Sequence, residues 1–202
     1  MFHNISFPCR YLLLIPAFLF SVVAKDVMTS QVENYLKGIK FISADFEQIL
    51  NTGEVYKGHF WLAKRGKTKA KIDYTEGLDQ DILIYDSYIT ITDNKTKKKY
   101  TNPISKTPIY SVLTGKLDLS KEKYKIIEDN EKLVRLSIEK SSAFGGISVM
   151  LIFSKYPNGN IKNLEAWIIN DGKNETLFSF DPDNLFVNDE KKVPESIFAL
   201  KK

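Results

Sequence analysis

From Phe41 almost to the C terminus, apolar and polar residues alternate in one short segment after another, and turn-forming residues separate the segments. A period of two puts every second side chain on the same side of an extended strand, so each segment buries only one face. Ile42, Ala44, Phe46 and Leu50 follow this pattern, and Asn51, Thr52 and Gly53 then supply a turn. Tyr56, Gly58, Phe60 and Leu62 share the next face, and Ala70, Ile72 and Tyr74 share another after a turn at Gly66. Asp81 to Tyr85 and Tyr88 to Thr92 read as strands joined at Asp86-Ser87. Further strands read at Tyr124 to Ile127, Leu133 to Ile138, Ile147 to Phe153, Ile161 to Ile169, Thr176 to Phe180 and Ile197 to Leu200. Asp129-Asn130, Gly145-Gly146, Pro157-Asn158-Gly159 and Asp171-Gly172 mark turns between them.

Two segments break the period. Val32, Tyr35, Leu36 and Ile39 fall at i, i+3, i+4 and i+7, the spacing of one helical face, and Gly38 predicts an end near Lys40. TPIYSVLTG carries Ile109, Val112 and Leu113 at helical spacing, with Gly115 as a stop. Two short helices among about eleven strands predict a mainly β fold, one antiparallel sheet curled on itself, with the helices across its concave face.

The first 24 residues have a different character. A basic stretch ends at Arg10, an apolar run covers Tyr11 to Val23, and small residues stand at Val22 and Ala24, the three parts of a cleavable export signal. The run is shorter than the ~20 residues a membrane span needs, and Pro16 interrupts it. The sequence therefore predicts a signal peptide over residues 1–24 and one domain over residues 25–202, in the periplasm. Cys9 is the single cysteine and lies before the apolar run, where a lipidated cysteine would follow it, so neither a disulfide nor a cysteine-linked lipid is expected. A domain of this length buries enough apolar surface to fold without covalent staples. The formal charge of +4 is spread over mixed signs and gives no argument for nucleic acid.

The order of elements resembles the periplasmic outer-membrane lipoprotein carrier family, LolA. The pieces that carry the resemblance are FISADFEQIL after an N-terminal helix, GHFWLAKRGK leading to KIDY, the helical insert TPIYSVLTG, SVMLIFS followed by NIKNLEAWIINDGKNETLFSF, and SIFAL. Each is mostly apolar alternation, so their order and spacing carry the likeness. The resemblance implies an unclosed antiparallel β-barrel with a helical lid. It implies a monomeric carrier, without cofactor or catalysis, that takes triacylated lipoproteins from an inner-membrane ABC transporter of the LolCDE type to an outer-membrane acceptor of the LolB type. The alternatives are a related lipid-binding sensor or glycolipid carrier, and a periplasmic hydrolase.

On this resemblance Phe46, Phe60, Leu62, Ile72 and Tyr74 line an acyl-chain site, and Leu36, Tyr110 and Leu113 close it from the helices. Periodicity by itself shows only that these residues are buried. The family also has an arginine after this second strand that ties lid to barrel. Alternation from Phe60 and Leu62 points Lys64 inward and Arg65 outward, and Gly66 stands where the family has proline, so Lys64 and Arg65 are both candidates for the latch. An arginine fork fixes several carbonyls in one plane, whereas a lysine is a flexible point charge. The chain also ends soon after SIFAL, where family members often continue.

The inventory for catalysis is thin. Beyond the predicted signal peptide His59 is the only histidine, and alternation turns it away from the proposed lipid face as a surface residue. Histidine and cysteine metal sites fail on count. DPDNLFVNDE has Leu185 and Phe186 where a calcium loop needs an oxygen ligand and glycine. Two carboxylates for glycoside hydrolysis could come from any strands, and no local pattern marks them. Lys95, Lys97, Lys98 and Lys99 read as a solvated hairpin that could also meet anionic headgroups.

Overall fold

The computed structural model describes residues 17–105, 107–140 and 146–199. Helix α1, Ala17–Gly38, leads into β1, Phe41–Leu50, and then β2, Val55–Arg65, and β3, Lys67–Glu76. β4, Gln80–Tyr85, β5, Tyr88–Asp93, and β6, Lys99–Pro103, complete the first meander. Helix α2, Pro108–Thr114, connects it to β7, Lys123–Asp129, β8, Leu133–Lys140, β9, Ile147–Lys155, β10, Ile161–Asn170, and β11, Glu175–Phe180. β12, Phe186–Val187, is a two-residue strand.

These strands form a 12-stranded sheet in the order β6-β5-β4-β3-β2-β1-β11-β10-β9-β8-β7, with β12 paired to β1 beside that path. Neighbours are antiparallel throughout, and the sheet is unclosed, with β6 and β7 as its edges. The fold is thus the mainly β antiparallel sheet with two helices that the alternation predicts, and it is unclosed, as the family resemblance implies. The reversal from β2 to β3 takes place at one residue, since Arg65 and Lys67 are register partners. Gly66 makes it with φ of 76°, a conformation that costs a side-chain-bearing residue about 1 kcal/mol or more.

Strand register carries one apolar face across the sheet. Ile42 stands opposite Leu62 and Ala44 opposite Phe60. Phe60 then meets Ile72, Leu62 meets Ala70, and Ala70 meets Ile84. On the other half, Ile138 pairs with Val149 and Leu136 with Leu151. All are buried in one cluster together with Val32, Leu36 and Ile39 of the α1 segment and Val112 and Leu113 of α2. The helices therefore cover the inner face of the sheet, each buried aliphatic side chain stabilising by roughly 1.5–3 kcal/mol. A separate small cluster, Ala63, Val193 and Phe198 with Phe41, Trp61 and Leu83, sits on the outer face, where the segment after β12 lies.

The structure differs from the sequence reading in several places. Ile197 is not in a strand: Glu195–Phe198 forms a 3₁₀ turn begun by Pro194, and its Phe198 anchors the outer cluster instead of extending a ladder. β6 leaves no mark in the sequence, because every one of its residues is exposed and no apolar alternation runs through it. β12 is too short to show a period. The first helix begins well before Val32 and runs through Ala24. Among the described residues no helix is long and apolar enough to cross a membrane. Arg10, Cys9, the run from Tyr11 to Pro16, Gly145 and Leu200 lie outside the described residues.

Candidate functional site

Of the residues expected to line an acyl site, Phe46, Phe60, Leu62 and Ile72 are buried on the inner face, and Leu36 and Leu113 reach the same cluster from the helical side. Tyr74 and Tyr110 pack against that cluster and remain partly buried. Tyr74 has an apolar ring at Phe46, 5.6 Å between centroids, and its hydroxyl donates to Gln48 Oε1 at 2.5 Å. Burial pushes its phenol up to about 12.

Three aromatic residues join this group that alternation alone did not single out. Trp167 lies 5.5 Å from Phe60 and 4.9 Å from Phe180, and Phe178 lies 5.6 Å from Phe46. Their own segments alternate, but their meeting with β1 and β2 depends on the β1 to β11 pairing, in which Phe46 stands opposite Phe180. Gly58 makes room here: a Cβ on it would fall 2.4 Å from the Asp73 carbonyl oxygen and 2.8 Å from the Phe46 ring. A cleft of about 530 Å³ opens beside this group, lined by Phe46, Gly58 and Phe180 and by Asp45, Lys57 and Asp181.

The helical cover is fastened by polar contacts. Lys64 Nζ donates to the Leu36 carbonyl oxygen at 3.0 Å, near the C-terminal end of α1. Gly115, the left-handed cap of α2, packs at the same point, where a Cβ would lie 2.8 Å from both Leu36 O and Lys64 Nζ. Burial lowers the Lys64 ammonium from its ordinary value to about 8. Tyr35 Oη accepts the Leu164 N–H at 3.0 Å where the β9–β10 register shifts, and burial pushes this phenol up to about 12. The Glu33 carboxylate accepts the Leu119 N–H at 2.6 Å. Asn188 closes the end of α1, its Oδ1 accepting from the Lys40 N–H at 2.6 Å and its Nδ2 donating to the Gly38 carbonyl at 3.1 Å. None of Tyr35, Glu33 and Asn188 was marked for this by sequence. Tyr35 was visible only as one residue of an amphipathic face.

Arg65 has a different position from its neighbour. It points to the outer face, where Nη2 donates to the Val193 carbonyl at 3.0 Å and the fork pairs with Glu190 at 3.0 Å and Glu195 at 3.2 Å. Its guanidinium lies 4.7 Å above the Phe41 ring. Strict alternation from Phe60 thus separates the two candidates, Lys64 to the helices and Arg65 to the C-terminal segment.

The outer face also holds a constellation that the sequence reading understated. His59 is no free surface residue: its Nδ1 lies 2.5 Å from Asp45 Oδ1 and its Nε2 lies 2.8 Å from Ser43 Oγ, with the ring 4.1 Å from Trp61. These distances match those of nucleophile, base and orienting acid. Ser43, however, is only 3% exposed and stands opposite Phe186 of β12. A nucleophile must meet a carbonyl carbon, and this hydroxyl has almost no surface to offer one. What the arrangement does is hold β1 to β2 by side chains as well as backbone. Lys95, Lys97, Lys98 and Lys99 are exposed around the turn before β6.

The description "Outer membrane lipoprotein carrier protein LolA" belongs to the family model that matches residues 37–201. Among solved structures, the fold is similar to a domain described as an outer membrane lipoprotein-sorting protein from Vibrio parahaemolyticus, with 10% identity and a TM-score of 0.50 over 85% of this chain and 95% of that one. It is similar also to MucB, with 12% identity and a TM-score of 0.51 over 89% of this chain and 63% of that one. At such identities the likeness shows a shared fold. None of the curated proteins matches the chain. A match reaching from the end of α1 to the last turn, on an unclosed sheet with helices over its inner face, places the chain in the LolA outer membrane lipoprotein carrier family, whose members are periplasmic binding and carrier proteins.

Proposed function

We propose that this chain is a periplasmic carrier that holds the acyl chains of triacylated lipoproteins on the inner face of its sheet, receiving them from an inner-membrane ABC transporter and delivering them to an outer-membrane acceptor. The observation that carries this reading is the unclosed sheet itself, whose apolar inner face is covered by two helices from separate parts of the chain. An acyl chain of ~14 methylenes at about 0.8 kcal/mol each represents on the order of 11 kcal/mol when exposed to water. A carrier offsets most of this and must still release, which suits an apolar face under a movable cover better than a shape-matched pocket. Phe46, Phe60, Leu62, Ile72 and Tyr74 would form the wall, Leu36, Tyr110 and Leu113 the cover, and Lys64 the latch between them.

The test is extraction of a triacylated lipoprotein from vesicles bearing a transporter of the LolCDE type, read by gel filtration and mass spectrometry. A one-to-one complex in the soluble fraction is expected. Leu62→Glu should abolish it, and Thr101→Ala, on an exposed strand, should leave it intact, with thermal unfolding of both variants as the folding control. Lipoprotein left wholly in the vesicles by the wild-type chain would overturn the reading.

A further inference from the structure

Trp167 is 3% exposed, and its indole Nε1 is a buried donor with no hydrogen-bond partner. Its position on β10 is fixed by register between Leu151 of β9 and Phe178 of β11, and the rings of Phe60 and Phe180 close around it. Burying an N–H without an acceptor costs about 1–3 kcal/mol, and tryptophans in protein interiors ordinarily satisfy theirs. A phenylalanine would supply the aromatic packing without that cost. Water is a poor partner, because a buried water needs two to four polar groups and the rings packed on this indole, Phe60, Phe178 and Phe180, offer it no lone pair. The missing partner is therefore an acceptor that arrives on something apolar.

We infer that Trp167 Nε1 is the recognition point for a carboxylic ester carbonyl of the bound lipid. The inference rests on the acyl-carrier reading and adds to it a chemical class and an orientation. A fatty acyl ester brings one strong acceptor at the end of a long apolar chain, which matches one donor set among aromatic rings. Phe180, in edge contact with the indole, also lines the cleft of about 530 Å³ beside Phe46 and Gly58. The glycerol end of the lipid then lies toward that cleft, whose lining includes the charged Asp45, Lys57 and Asp181, and the chains run away from it along the inner face. Hydrocarbon burial alone would not distinguish an ester from an ether of the same length. The indole does.

The experiment compares a diacylglycerol with the dialkylglycerol ether of equal chain length on the full chain, and repeats it with Trp167→Phe. The wild-type chain should bind the ester about 3- to 10-fold more tightly than the ether, the range expected of one neutral hydrogen bond. Trp167→Phe should bind both with the affinity the wild type shows for the ether. On the wild-type chain labelled with nitrogen-15, the ester alone should move one of the two indole N–H resonances downfield, and that resonance should be absent from Trp167→Phe, leaving the signal of Trp61. Equal affinity for ester and ether, or a preference that survives in Trp167→Phe, would overturn the inference and leave the carrier reading standing. Binding of neither lipid would overturn both. The resonance shift is read on the wild-type chain, so the test holds even if the variant folds poorly.

Discussion

Replacing Lys64 by methionine keeps the length of the side chain and removes its charge, and the structure gives the result a sign. The ammonium is lowered from 10.5 to about 8 by burial beneath the helices. In the unfolded chain it returns to its ordinary value, so between pH 8 and 10 the unfolded state holds more protons than the folded one. Stability then rises with pH through that window. Below pH 8 both states are protonated, and the full cost of keeping a charge beneath the helices is present. Taken at full weight the shift corresponds to roughly 3 kcal/mol. The site is partly open to solvent, and screening reduces this to about 1 kcal/mol. Tyr35 and Tyr74, each pushed up to about 12 by burial, act in the opposite sense: their contribution is present below pH 10 and is lost as pH rises through 12. An assay held between pH 7 and 10 stays clear of them.

The measurement is the thermal midpoint at steps of pH from 7 to 10 for the wild type and Lys64→Met. A domain of this size moves about 2–4 °C per kcal/mol, so the wild-type midpoint should rise by about that much relative to the variant. At pH 7 the variant should differ little from the wild type, because it loses the hydrogen bond to Leu36 O, worth about 1–2 kcal/mol, while escaping the desolvation cost. Parallel pH profiles would refute the reasoning, since they would mean that the amine is solvated with the helices in place.

The other outcomes concern the contacts around it. Arg65→Ala should leave the pH profile unchanged and free the C-terminal segment, seen as faster tryptic cleavage at the exposed Lys191 and Lys192; unchanged cleavage would mean that the outer cluster holds this segment without the arginine. Tyr35→Phe should lower stability by about 1–2 kcal/mol in urea, because the Leu164 N–H loses its acceptor, and an unaltered midpoint would deny the contact. Phe153→Ala, at a fully buried position on β9, should cost about 3–5 kcal/mol by the same measurement, and a cost below 1 would mean that this part of the inner face is not close-packed.

The face of each strand was legible because the pleat alone determines it. Phe60, Leu62 and Lys64 point one way and Arg65 the other, as alternation requires, and the single shift in the β2–β3 register comes earlier, between Lys57 and Gly58. The two helices were legible from Leu36, Val112 and Leu113, which are buried where their spacing puts them. Strand order was not, since nothing local tells Phe46 that its partner is Phe180, far along the chain. For the same reason the group around Trp167 could not be assembled from its own segment. Asn188 lies among clustered acids that carry no local sign of a helix tie, and its role as a tie for α1 depends on a backbone of positive φ at 61° and on β12 pairing with β1. Ser43 and Asp45 are two apart on one strand, but their shared hold on His59 needs the β1–β2 register.

On the carrier reading, the fastening contacts and the apolar face do different work. Lys64, Tyr35 and Glu33 each contribute a bond of about 1 kcal/mol, and the lysine is opposed by its own desolvation. Val32, Leu36, Ile39, Val112 and Leu113 bury their side chains against the sheet, at roughly 2 kcal/mol each or about 10 together. That sum is close to what one acyl chain gains by leaving water. A chain that slides under the helices therefore takes over burial that the helices supplied, and the exchange is nearly balanced in free energy. Near balance is what a carrier requires, because a face that bound lipid far more strongly than its own cover could never hand it on. Because the exchange is nearly balanced, polar contacts of about 1 kcal/mol each are enough to bias it toward the covered state. Their directionality decides where the helices return once the lipid has gone.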